Sequence, residues 1–175
     1  MFLLLNGSFG IGKTTVAELL QCSVPGAKLY NPENIGFVLR RLPPFLMGRV
    51  RHPPDYQDLP LWRALIARGA QRTHRGASVV VVPMAFTELS YLDAFADALR
   101  ADGEVQRYCL VAPLPTVTER LEQRARTEGR AVTDFERDRS AECVAAHSDP
   151  AFGVPIGADR PPAEIVIDIR ARAGI

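Results

Sequence analysis

The stretch Phe2-Leu3-Leu4-Leu5-Asn6-Gly7-Ser8-Phe9-Gly10-Ile11-Gly12-Lys13-Thr14-Thr15 decides how the rest of this 175-residue chain is read. Its first part is a continuous apolar run ended by Asn6-Gly7, the pattern of a strand buried on both faces of a parallel sheet. Its second part matches G-x-x-x-x-G-K-[ST] once, over residues 7–14. Glycines let the backbone take positive φ, so successive N–H groups turn inward and form a concave anion site. The helix that follows aims the positive end of its dipole at the same point. In such a loop Lys13 reaches the β- and γ-phosphates of a nucleotide, and the Thr14 hydroxyl coordinates Mg²⁺. Thr15 hydrogen-bonds a more distal phosphate. A strand before the motif and a helix after it separate a phosphate loop from a chance glycine-rich turn. Gly7, Ser8, Phe9, Gly10, Ile11, Gly12, Lys13, Thr14 and Thr15 are the expected cofactor-binding residues, with ATP and Mg²⁺ as the cofactor.

Outward from the loop, apolar runs alternate with helical patterns. Residues 14–20 have helical spacing, closed by Pro25-Gly26, and residues 28–30 form a brief second strand. Residues 34–42 read as a helix broken by Pro43-Pro44, and residues 49–58 as a polar loop. Pro60 suits a helix start, and the helix runs over 61–75. Val79-Val80-Val81-Val82, bounded by Gly76 and Pro83, is the clearest strand, read over 78–82. A helix over 91–100, a strand over 105–112 and helices over 115–126 and 134–147 follow. A loop over 148–162 then leads to a fifth strand at 164–169. The pattern predicts a three-layer α/β sandwich: five parallel strands with helices on both faces.

The length suits a single domain spanning 1–175, with a lid-like segment at about 120–140. Hydrophobic residues at 47% and charged residues at 23% are ordinary for a globular protein. A net charge of +1 gives no field to draw nucleic acid, which disfavours that partner class. Cys22, Cys109 and Cys143 are odd in number and widely spaced, as expected of reduced thiols in a cytosol. The apolar start lacks a basic segment and is too short for a secretory signal, and no run is long enough to span a bilayer. The expected location is cytoplasmic. Integral membrane insertion is disfavoured and peripheral membrane contact is left open.

Lysine occurs only as Lys13 and Lys28, so a functional lysine has two places to be. Arg120, Arg124, Arg126 and Arg130 lie on and after the helix behind the fourth strand. Arg120 and Arg124 share a face by i,i+4 spacing, placed to neutralise a transferring phosphoryl group. A solvated face paired with Glu119, Glu122 and Glu128 explains the set equally well. Glu33, after Tyr30-Asn31-Pro32, is the acid nearest the second strand's end and a candidate to orient an acceptor hydroxyl. A glutamate favoured by the helix dipole is the plainer reading of it. Many phosphate-loop proteins hold the metal's water shell with a strand-end aspartate. Here the strand ends Val82-Pro83-Met84-Ala85-Phe86-Thr87 without one. Phe37, Leu42, Phe45, Leu46, Met47, Trp62, Met84 and Phe86 could line an apolar groove. Core packing explains most of them, Trp62 being the expected exception. His52, His74 and His147 lack metal-ligand spacing and are expected on loops or solvated faces.

These pieces resemble the tunicamycin resistance protein family of bacterial P-loop ATP-binding proteins. The carrying features are the early phosphate loop, Tyr30-Asn31-Pro32-Glu33, Ile35-Gly36-Phe37-Val38-Leu39-Arg40, Pro60-Leu61-Trp62-Arg63 and Val82-Pro83-Met84, in that order. The resemblance implies a fold like that of small-molecule and nucleoside-monophosphate kinases, with strands ordered 2-3-1-4-5. It also implies action on tunicamycin, a nucleoside antibiotic with a sugar portion and an acyl tail. Phosphoryl transfer, sequestration of the drug and a housekeeping metabolite kinase are the competing functions. Lys13, Glu33, Arg120 and Arg124 are the expected catalytic residues. Asn31, Phe37, Arg40, Trp62, Met84 and Thr87 are the expected substrate contacts, and Thr14 the metal ligand. Asn31 stands where the family carries aspartate, which leaves Glu33 as the candidate base.

Overall fold

The computed structural model describes residues 1–47, 51 and 55–175. Strands β1 (Phe2–Gly7), β2 (Lys28–Leu29), β3 (Val80–Met84), β4 (Val105–Val111) and β5 (Val154–Gly157) form one sheet. Their spatial order is β2-β3-β1-β4-β5, the order the family resemblance implied. Every pairing is parallel. The helices are α1 (Lys13–Ser23), α2 (Glu33–Arg41), α3 (Pro60–His74), α4 (Leu89–Arg100), α5 (Leu114–Thr127), α6 (Asp134–Ala146) and α7 (Pro162–Ala173).

Alternate residues of the central strands feed two cores, as a strand's period of two requires. Leu3, Leu5, Val79 and Val81 pack with Val16 and Leu20 of α1, Val117 and Leu121 of α5, and Ile165 and Ile169 of α7. Phe2, Leu4, Val80 and Val82 face Ile66 and Ala70 of α3 and Leu92, Phe95 and Leu99 of α4. Both faces of the sheet are covered, which is why β1 and β3 read as unbroken apolar runs.

The last strand lies elsewhere than expected. Residues 164–169 belong to helix α7, which begins with Pro162 at its first position. Ile165, Val166, Ile169 and Ala173 are buried while Ile167 is 68% exposed, a helical period rather than an alternating one. The isoleucines and valine favour a strand locally, but docking against α1 decides the matter. Strand β5 lies inside the expected 148–162 loop. Only Ile156 of its four residues is buried, and it contains Pro155, which an edge strand tolerates.

β1 and β3 run in register from Phe2 beside Val80 to Asn6 beside Met84, so both end at one edge of the sheet. The phosphate loop leaves β1 at that edge. All three cysteines are free. Among the described residues no helix is long and apolar enough to cross a membrane.

Candidate active site

The loop from β1 to α1 is built around two left-handed glycines, Gly10 with φ +73° and Gly12 with φ +101°. A Cβ on Gly10 would stand 2.7 Å from Leu121 Cγ, so that position has neither the conformation nor the room for a side chain. Lys13 opens α1. Its buried ammonium donates to the Ser8 carbonyl at 2.7 Å, strapping the loop from within. Burial lowers the lysine pKa, and the nearby Glu33 carboxylate works against that shift.

Above the loop lies a cavity of about 420 Å³. Gly10, Gly12, Lys13, Thr14 and Thr15 line one side, Asn31 and Glu33 another, and Arg120 and Arg124 a third. Arg120 is held there by donating from Nη1 to the Ile11 carbonyl at 3.1 Å. Arg124 is held by donating from Nη2 to Glu136 Oε1 at 2.7 Å. Arg126 is exposed and lines no described cavity, and Arg130 pairs with Glu128 and Glu136. Ser8 and Ile11 face a second cavity, about 410 Å³, bounded by Leu110, Pro113, Val144 and His147.

The residues fit a polyphosphate with a hydrated magnesium ion. Thr14 is exposed at the cavity, and Glu33 is the carboxylate that lines it. Among the described residues no group of three or more His, Cys, Asp or Glu side chains could cage a metal. Magnesium keeps several of its waters, so a site in which Thr14 would offer it one protein oxygen suits it.

Two narrower clefts, about 10 and 80 Å³, open beside the cavity, and Phe9 and Glu33 line all three spaces. Asn31 fixes Glu33 by accepting its backbone N–H at 2.9 Å. Trp62 and Met84 line the smaller cleft, Phe37 and Arg40 the larger. Arg40 lies 5.0 Å over the Tyr56 ring. Trp62 is 2% exposed and its indole N–H donates to the Pro32 carbonyl at 3.3 Å, so it packs in the core while lining the smaller cleft. Thr87 is half-buried and lines no described cleft. Leu42, Phe45 and Leu46 are exposed beyond the clefts; the Met47 side chain, His52 and part of the 49–58 loop lie outside the described residues.

Several site residues escaped the sequence reading. Asp55 caps a 3₁₀ turn at Tyr56–Asp58 and pairs with Arg139 of α6 at 2.5 Å. Gln57 of that turn donates to the Ala85 carbonyl at 3.1 Å, while its buried Oε1 has no hydrogen-bond partner among the described residues. His147, expected on a loop or a solvated face, is 4% exposed. Its Nε2 lies 2.8 Å from the Phe86 carbonyl, which can only accept, and 3.0 Å from Asn6 Nδ2, which can only donate, so the two contacts call for opposite tautomers. Asn6 spans the same junction, accepting from Phe86 N–H at 2.9 Å and donating to its carbonyl at 3.2 Å. His74 is half-buried, its ring 4.5 Å from that of Phe2. Asn6 and His147 meet across 141 positions, so no local pattern could have paired them.

A parallel sheet in this order, with a strapped phosphate loop between β1 and α1, is the fold of the P-loop kinases. The chain is similar to the solved tunicamycin resistance protein of Deinococcus radiodurans, at 22% identity and TM-score 0.76, over 99% of this chain and 96% of that one. A gluconokinase from Sinorhizobium meliloti 1021 matches at 21% identity and TM-score 0.66, over 97% and 89% of the two chains. Shikimate kinase from Aquifex aeolicus matches at 17% and 0.60, over 99% and 96%. No protein-family model and no curated protein sequence matches the chain.

Proposed function

We propose that the chain is an ATP-dependent phosphotransferase for a small hydroxyl-bearing molecule, with tunicamycin or a related nucleoside-like compound as acceptor. Glu33 carries this reading, because it lines the phosphate cavity and both clefts beside it. One carboxylate then faces the transferring group and the acceptor together. ATP, bound with Mg²⁺, supplies the phosphoryl group. Lys13 and the loop amides hold the polyphosphate, Thr14 ligates the metal, and Thr15 bonds a phosphate oxygen. Arg120 and Arg124 neutralise charge on the transferring oxygens. Glu33 orients the acceptor hydroxyl and takes its proton as the new P–O bond forms, while the bond from the γ-phosphorus to its bridging oxygen breaks and ADP leaves. Asn31, Phe37, Arg40 and Met84 line the acceptor side.

Tunicamycin as acceptor is supported by the similarity in fold to the Deinococcus protein and by exposed apolar side chains on α2 and the turn that follows it. Phe37, Phe45 and Leu46 are 52%, 72% and 60% exposed, which suits a molecule with a polar head and an acyl tail. The test is mass spectrometry of tunicamycin after incubation with the protein and Mg-ATP. A mass gain of one phosphate, absent with Lys13→Ala, is expected; an unaltered drug rejects transfer. A second reading, sequestration without turnover, is favoured by the missing acid in Pro83-Met84-Ala85-Phe86-Thr87. Tight drug binding with no product selects it.

A further inference from the structure

We propose that Glu136 is a positioning residue that sets Arg124 against the phosphate cavity before any ligand arrives. The ligand this serves rests on the phosphotransferase reading; the positioning itself does not. Arg124 lines the cavity one helical turn after Arg120. Arg120 is tied to the loop's own backbone, whereas Arg124 reaches across to α6 and donates to Glu136 Oε1 at 2.7 Å. Arg130, from the link between α5 and α6, forks onto the same carboxylate with Nη2 to Oε1 and Nη1 to Oε2, both at 2.8 Å. The Thr133 backbone N–H and hydroxyl donate to Oε2 at 3.0 and 3.1 Å. The carboxylate thus accepts one hydrogen bond from Arg124, two from Arg130 and two from Thr133.

An isolated surface ion pair fixes little. Here the anchor is itself anchored. The Glu136 side chain is only 14% exposed, and the Thr133–Glu136 capping box sets its direction at the first turn of α6. The Arg130 fork also lowers the Glu136 pKa to about 2, so the carboxylate stays ionised at any working pH. Arg130, shared with Glu128, offsets part of that negative charge and so weakens the anchor's repulsion of an anion in the cavity. A free arginine loses rotamer freedom when it clamps a phosphate; one already held has less to lose.

Glu136→Gln separates this role from a structural one, because glutamine serves in a capping box as glutamate does but carries no charge. The first readout is ¹⁵N relaxation of the Arg124 Nε–H in ligand-free protein. It should report an ordered side chain in the parent and a mobile one in the variant; equal order overturns the proposal. The second is calorimetric affinity for Mg-ATP, expected to fall by roughly threefold to tenfold. Removing a negative charge beside an anion site would by itself tighten binding. Equal or tighter affinity therefore overturns the proposal and leaves Glu136 as a mere competing charge. If the parent binds no Mg-ATP but Arg124 still loosens in the variant, the phosphotransferase reading falls and the positioning of Arg124 stands.

Discussion

Lys13 holds a cation in a site where its relative exposure is only 9%, with a backbone carbonyl as its hydrogen-bond acceptor at 2.7 Å. Burial weakens its charged form, so the site gains by admitting an anion. Lys13→Ala should lower Mg-ATP affinity by about 100-fold or more, the scale set by losing a charge-assisted bond in a desolvated site. Calorimetry of parent and variant checks this, and equal affinities would count against the whole site. Glu33 makes a different prediction. It lines both side clefts as well as the cavity above the loop, so on the phosphotransferase reading Glu33→Gln should leave Mg-ATP affinity within about threefold while slowing phosphoryl transfer by about 10²-fold or more. Steady-state kinetics with the acceptor identified by mass spectrometry would separate the two parameters. A variant that lost ATP affinity alone would make Glu33 a phosphate-site residue and nothing more.

At the scale of elements, α7 and the phosphate loop are the informative pieces. Ile165, Ile167 and Ile169 would share one face of a strand, but on helix α7 Ile169 is fully buried and Ile167 is 68% exposed. Ile169→Ala should cost about 2–5 kcal/mol, whereas Ile167→Ala should stay within about 0.5 kcal/mol. Urea unfolding of both variants tests this, and similar losses would return the segment to a strand. In the loop, Gly10→Ala forces an L-residue to φ +73° with its Cβ against Leu121 of α5. The expected outcome is a lower melting temperature together with weakened Mg-ATP binding, because α5 also carries Arg120 and Arg124. A variant with unchanged melting and binding would mean that the loop and α5 are not packed as described.

For the molecule as a whole, acid should loosen the sheet's functional edge. His147 ties α6 to the end of β3, and burial holds its pKa down to about 4. Its folded value lies below the unfolded one of about 6.5, so the unfolded chain takes the proton first as pH falls. Stability should be flat above pH 7 and decline between about 6.5 and 4, by roughly 3 kcal/mol if the group acts alone. Glu136 adds a second loss at lower pH, since its carboxylate is stabilising above the usual carboxyl range and that contribution disappears as pH falls toward 2. Denaturant titrations at pH 7, 5.5 and 4 should resolve the first window. His147→Gln should flatten it, and an unchanged slope in that variant would assign the acid sensitivity elsewhere.

How much of this was legible depends on the range of the forces involved. The phosphate loop, β1, β3 and the flanking helices were readable because each is specified within a dozen residues: apolar runs for doubly covered strands, paired glycines for a turning backbone, a lysine at the helix start. The sheet order came through resemblance, and Glu33, Arg120 and Arg124 were named because their spacing from the strand ends is local. What the chain written as letters could not decide was set by contacts between distant segments. Whether Ile165–Ile169 coils or extends depends on the α1 surface it meets. How Trp62 packs in the core and still lines a cleft depends on the Pro32 carbonyl that takes its indole N–H. His147 is buried only because Asn6 and Phe86 wait for it, and Glu136 matters only because α6 folds back over α5. Local pattern determines which elements form and where an anion can sit; packing across the sheet's edge determines which polar side chains are held ready around it.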